Sequence, residues 1–212
     1  MGRESGDGVR WDSLSGATVI PVGFSAMPWA SFQFALRKNG VDPQSLTLIP
    51  DLPLPDAVAA FKSGQGDFIH LPEPAAEQLI SDGTASLSVA LGPVNGHIAY
   101  SSFAATEAYL ERNTETVHRF IRGYARGLTW LRESDPATVG DAVSGFFPDV
   151  ASELITKSVA RYKEQGTWPA TPHLEQPEYE GLEEILMAAG MVKEHQPYAK
   201  IVRPELVRDA LA

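Results

Sequence analysis

The stretch Thr18-Val19-Ile20-Pro21-Val22-Gly23-Phe24-Ser25-Ala26-Met27-Pro28-Trp29 decides the fold class. A short β-branched run passes through a glycine-containing turn into a segment of helical period, the pattern of a strand feeding a helix. A helix is expected over about 26–39, with Ser25 as N-cap and Gly40 just past the end, where positive φ is tolerated. The pattern recurs twice. Leu46-Thr47-Leu48-Ile49-Pro50 precedes a helix near 55–63, and Asp67-Phe68-Ile69-His70-Leu71 precedes one near 74–81. A further strand is expected over 86–91 and a turn over 92–96. Together these units predict a doubly wound α/β lobe with a parallel sheet.

Beyond that lobe the character changes. Residues 97–103 read as extended, and nearly all that follows reads as helix. Val117, Phe120, Ile121, Tyr124, Leu128 and Leu131 form one stripe, and Asp135-Pro136 opens a new helix with Asp as N-cap and Pro at N1. Ile155, Val159 and Tyr162 mark another stripe, and Tyr179, Leu182, Leu186 and Ala189 a last one. These half-apolar helices need a surface to cover, and the sequence offers few strands for it.

The 212 residues carry a formal net charge of -10, which opposes attraction to nucleic acid or anionic lipid. With no cysteine there are no disulfides, thiolate metal sites or cysteine nucleophiles. The opening residues contain no apolar signal-type core, and no later run reaches the length of a membrane span.

In open α/β sheets ligands bind beyond the carboxyl ends of the strands. The first turn places Ser25 and Ala26 at a helix start whose free N–H groups suit an anionic group, although an ordinary N-cap reads the same way. The third turn, His70-Leu71-Pro72-Glu73-Pro74, joins two ionisable side chains to two stiffening prolines. His70 reads equally as a core histidine, and Glu73 as a complement to the helix dipole. Trp29, His97 and Tyr100 are candidate pocket walls, the alternative for large aromatics being the core. A metal site at His70 and Glu73 lacks a third ligand. A nucleophile elbow at Ser25 lacks its second glycine, where Met27 stands, and its oxyanion loop. No P-loop, GxGxxG or HExxH occurs. The reading is a binder of a small molecule, with no catalytic residues, metal or cofactor.

Several runs carry a family resemblance: Leu14-Ser15-Gly16-Ala17-Thr18-Val19-Ile20, then Ala57-Val58-Ala59-Ala60-Phe61-Lys62-Ser63-Gly64-Gln65-Gly66-Asp67, then Glu73-Pro74. Later come Tyr109-Leu110-Glu111-Arg112-Asn113, Arg119-Phe120, the stretch from Trp130 to Pro136, and Tyr162-Lys163-Glu164-Gln165-Gly166-Thr167-Trp168-Pro169. In order and spacing they resemble the second lobe and closing helices of the NMT1/THI5-like and SsuA-like substrate-binding proteins of ABC transporters, the nitrate/sulfonate/taurine type.

The resemblance implies a periplasmic-binding-protein type II-like fold, here one complete doubly wound lobe plus a mainly helical C-terminal part of the other lobe. Residues 1–13 would be a crossover segment, 14–98 the α/β ligand-binding lobe, and 99–212 a returning strand and helices of an incomplete first lobe. The opening strands of that lobe and any secretion signal would lie upstream of Met1. A shortened chain and a natural half-protein both remain open.

The implied function is extracytoplasmic capture of a sulfonate, a nitrate-like anion or a pyrimidine for an ABC permease, at a periplasmic or cell-surface location. Ser25 with the adjacent helix start, His70 and Glu73 would be ligand contacts. Many relatives have Trp-Glu-Pro where this chain has Pro72-Glu73-Pro74, so one aromatic wall is missing. A THI5-like pyrimidine-synthesising enzyme is the alternative, although its cysteine-rich motif cannot exist here. A further alternative is an interaction module, with homo-oligomers formed through the incomplete lobe.

Overall fold

β1 (Thr18–Ile20), β2 (Thr47–Leu48) and β3 (Phe68–Ile69) form a parallel sheet in the order β2-β1-β3. The computed structural model describes residues 1–3, 10–21, 26–49 and 52–212. α1 (Ala26–Lys38), α2 (Leu54–Lys62) and α3 (Ala75–Ser81) follow the three strands in turn. Successive residues of a strand point to opposite faces, so β1 seeds a core on each side. Val19 joins Leu14, Phe32, Leu36, Val41 and Leu46 under α1. Its neighbour Ile20 joins Ala57, Phe61, Ile69, Leu79 and Ala85 under α2 and α3. This two-sided burial makes the sheet doubly wound, as the sequence predicts.

Helix ends follow local chemistry. Gly40, at φ 76, lets the Val41 N–H reach back to the Leu36 carbonyl at 2.9 Å and close α1. At the end of α2 the Arg3 guanidinium bonds the carbonyls of Phe61, Gln65 and Gly66 and lies 4.0 Å from the Phe61 ring centre.

The strand expected over 86–91 is replaced by one bridge. Gly2 exchanges both backbone hydrogen bonds with Ser86, at 3.0 and 2.8 Å, and also bridges Phe68, so the first residues cap this sheet edge. A Cβ on Gly2 would meet the Phe68 ring at 3.0 Å and Ser88 Oγ at 2.8 Å, which explains the glycine there. The expected turn over 92–96 is instead a short helix, α4 (Leu91–Asn95). α1 holds it: Lys38 Nζ donates to the Val94 carbonyl at 2.8 Å, and Asn95 Nδ2 to Ser31 Oγ at 2.6 Å.

The remainder comprises α5 (Glu107–Arg112), α6 (Thr114–Glu133), α7 (Pro136–Val143), α8 (Ser152–Glu164), α9 (Gln176–Ala188), α10 (Tyr198–Ile201) and α11 (Pro204–Leu211). Asp135 caps α7 by accepting the N–H groups of Ala137 and Thr138, both at 3.0 Å, with Pro136 at N1 as expected. α7 and α8 share a small core of Val139, Ile155 and Val159. Gly140 permits the approach, since a Cβ there would stand 2.7 Å from Thr156 Oγ1.

The stripe on α9 is rotated from the expected one: Tyr179, Glu183 and Ile185 are buried, whereas Leu182 and Leu186 are only half-buried. The cause is Glu183, a buried carboxylate that accepts from the Gln196 N–H at 2.7 Å and from Tyr179 Oη at 3.1 Å, with His195 Nδ1 at 3.1 Å. Polar demand overrides the apolar period here.

Candidate functional site

The site is built where β1 and β3 end. His70, immediately after β3, donates its N–H to the Ile20 carbonyl at 2.9 Å, which fixes the start of the third loop against the end of β1. Ala26 opens α1 and is exposed; Trp29, one turn on, is half-buried. Trp29 packs on Phe32 with ring centres 5.8 Å apart, and Phe32 on the His70 imidazole at 5.5 Å. α1 and the third loop thus form an aromatic row that ends in an imidazole. Ser25 lies outside the described residues.

His70 Nδ1 is buried and has no hydrogen-bond partner among the described residues. Burial pushes the imidazole down to about 4, and the nearby Met1 ammonium pushes the same way. At neutral pH the ring is therefore uncharged, with one donor and one acceptor nitrogen to offer. Behind it lies a cavity of ≈ 50 Å³, lined among others by Phe32, Ser88, Val89 and Leu91. That is enough for water but small beside an ordinary ligand site of roughly 300–1,000 Å³.

Glu73 has a different environment. Arg161 Nη1 donates to Oε1, while Oε2 accepts from Ser158 Oγ at 3.1 Å and from the Glu77 N–H at 3.0 Å. Its own N–H donates to Tyr162 Oη at 3.3 Å. Arg161 Nη2 also donates to Glu77, which holds Ser81 Oγ at 2.6 Å. The side chains of Glu73 and Glu77 are 7% and 3% exposed, so both carboxylates are spent inside the protein. Burial drives the Glu77 carboxyl up, but Ser81 and Arg161 outweigh it and leave it below the usual range. Burial opposes the Arg161 charge, and the two carboxylates more than compensate.

Tyr100 is 50% exposed. Its phenol is pushed up by burial and by nearby Tyr162, which packs edge-on against Trp168 at 5.5 Å. His97 is exposed, and its backbone runs along Gly181 of α9, away from both groups. The structure therefore gathers the predicted residues into two sets, Trp29 with His70 and Glu73 with Tyr100, bridged by the loop 70–74. Phe32, Glu77, Ser158 and Arg161 were not anticipated, and Tyr162 was expected on a helix stripe and in a run that carries the resemblance, but not at the site. One signal was present: Glu73, Glu77 and Ser81 recur at helical spacing, a polar line that demands a cationic partner. Among the described residues no group of three or more His, Asp or Glu side chains could hold a metal, and no helix is long and apolar enough to cross a membrane.

The sequence model of the NMT1-like family matches residues 7–144. The chain is 28% identical over 207 residues to the Bacillus subtilis (strain 168) protein described as "Putative binding protein YtlA", an alignment covering 97% of this chain and 62% of that protein. In three dimensions it resembles the alkanesulfonate-binding protein SsuA from Xanthomonas axonopodis pv. citri, solved bound to MOPS. The TM-score is 0.64 at 17% identity, over 99% of this chain and 66% of that one. The chain spans a little under two thirds of the length of each.

Proposed function

The chain belongs to the NMT1-like family of binding proteins, and from that premise we propose that it is a solute-binding component of an ABC importer, acting outside the cytoplasm on a sulfonate, a nitrate-like anion or a pyrimidine. Residues 14–98 form its ligand lobe and 99–212 the returning part of the other lobe. The aromatic row Trp29–Phe32–His70 at the carboxyl ends of parallel strands carries this reading: flat apolar walls and one uncharged polar tip suit a small ring or a compact polar group. Ala26 offers the start of α1 to an anionic group, and Tyr100 lies near Tyr162 on the Glu73 side of the loop, whereas His97 stands apart beside α9. Glu73 contributes through the loop it anchors rather than by touching the solute. The chemistry is binding without covalent change.

Thermal denaturation of the purified chain against taurine, MOPS, nitrate and a set of pyrimidines tests the proposal. A solute at about 100 times its dissociation constant adds roughly 2.7 kcal/mol of stability. The expected outcome is an upward shift with one chemical class, lost in Trp29→Ala. A folded protein that responds to none of them overturns the reading.

A further inference from the structure

α3 and the loop before it are joined to α8 by a seam of polar groups. Glu73, Glu77 and Ser81 on one side face Lys157, Ser158, Arg161 and Tyr162 on the other, whereas the buried apolar clusters lie elsewhere, under α1, under α2 and α3, and between α7 and α8. Arg161 is the centre of this seam. One guanidinium nitrogen holds Glu73, in the loop, and another holds Glu77, in the first turn of α3. A bidentate cation between two buried carboxylates fixes position as well as charge, because its planar fork admits few geometries.

The loop it grips begins at His70. Only Leu71 and Pro72 stand between His70 and Glu73, so displacement of Glu73 is passed along a short, stiff segment. Among the described residues the other end of the segment is tied by the His70 N–H bond to Ile20, by ring packing on Phe32 and by Leu71 against the core under α2 and α3. We propose that Arg161 is a positioning residue: by clamping Glu73 and Glu77 to α8 it keeps the loop 70–74 seated, and so keeps the His70 ring against Phe32 with its Nδ1 buried. Ser158 and Tyr162 complete the rack, one on the Glu73 carboxylate and one on its N–H. The helical half of the molecule thereby sets the polar tip of the candidate site, although no residue of α8 need touch a solute.

His70 itself reports on the rack without any ligand, because its depressed titration depends on burial. Among the described residues the titratable group acting on the ring is the Met1 amine, itself pushed down to about 6 by burial, while α1 packs the uncharged Phe32 and Trp29 beside it. The test is a histidine-ring NMR titration, with the His70 signal assigned by His70→Gln. In wild type the midpoint should lie at about 4. In Arg161→Met it should rise by about one unit or more toward the ordinary 6.5, with Arg161→Lys restoring part of the depression. Tyr162→Phe, which spares both carboxylates, should give a smaller rise and serves if Arg161→Met does not fold. Val159→Ala loosens the core of the same helix without touching the rack and should leave the midpoint in place.

An unchanged midpoint in folded Arg161→Met and in Tyr162→Phe overturns the proposal, as does an equal shift in Val159→Ala. The inference rests on the proposed site only for its functional meaning. A moved midpoint with a flat solute panel removes the transport reading and leaves the positioning role standing, and a fixed midpoint with a responsive panel does the reverse.

Discussion

The two halves of this chain are stabilised differently. The α/β half buries Val19, Ile20, Leu36, Phe61, Ile69 and Leu79 almost completely, on both faces of a sheet of only three short strands. The helical half, the longer of the two, gathers a small apolar cluster of Val139, Ile155 and Val159, buries Ile121, Leu128 and Ile185 apart from it, and leaves Phe103 71%, Phe120 49% and Phe146 82% exposed. Polar staples hold it instead. Lys163 Nζ donates to the last carbonyls of α6, including Leu131 at 2.8 Å, Glu183 gathers Tyr179, His195 and Gln196, and Arg161 clamps α3. A parallel sheet can supply its own core from alternating side chains, whereas amphipathic helices without a sheet beneath them must be tied at points.

The comparison is broken first in the α/β half. Phe61→Ala removes a fully buried ring from the core under α2 and α3, and should cost about 3–5 kcal/mol in urea unfolding. A loss below about 1 kcal/mol would mean that this half is not the stable one.

Acid gives the next break, in two stages. The folded chain keeps His70 neutral down to about 4, while the unfolded chain protonates it near 6.5, so the unfolded state binds more protons in between. Stability should therefore fall as pH drops from 6.5 to 4, by up to about 3 kcal/mol. Glu77 and Glu183 have depressed folded values: burial pushes each up, but Ser81 and Arg161 for the first, and Gln196, His195 and Tyr179 for the second, prevail. Their contribution is present above 4.5 and is lost as pH falls through the lower folded values. Chemical denaturation at closely spaced pH should show two stages, and His70→Phe should erase only the upper one.

The smallest effect on stability sharpens the contrast at the surface. Phe103, before α5, meets Phe120 at 4.7 Å and Tyr124 at 5.2 Å on α6, in a cluster whose two phenylalanines are exposed. Phe103→Ser with Phe120→Ser should change unfolding free energy by no more than about 1 kcal/mol, yet lower any concentration-dependent association seen by analytical ultracentrifugation. A large loss of stability would instead show the cluster to be core.

Much of the α/β half was legible because its rules are local. The β-branched run at Val19 and Ile20 and the glycine after Asn39 each specify their own conformation within a few residues. The missed features are those that need a distant partner. Nothing near Ser86 announces that Gly2 will take its hydrogen bonds, and the polar line Glu73, Glu77, Ser81 asks for a cation without saying that it stands 88 residues away. α9 turned its stripe because a buried carboxylate outranked two leucines, a choice that hydrophobic period cannot register. For the site, the loops and several residues were readable from topology, but the division of labour between His70 and Glu73 was not.

The polar seam between α3 and α8 also has a meaning in time. An ion pair of this kind gains little until both of its surfaces are assembled, whereas the apolar clusters on either side of the sheet draw on contacts closer along the chain. The clamp should therefore belong to the last event of folding and the first of unfolding. Loosening Arg161 should leave the refolding rate nearly unchanged and hasten unfolding, so that in kinetic terms the side chain works as a brake on release, with no part in the search that precedes it.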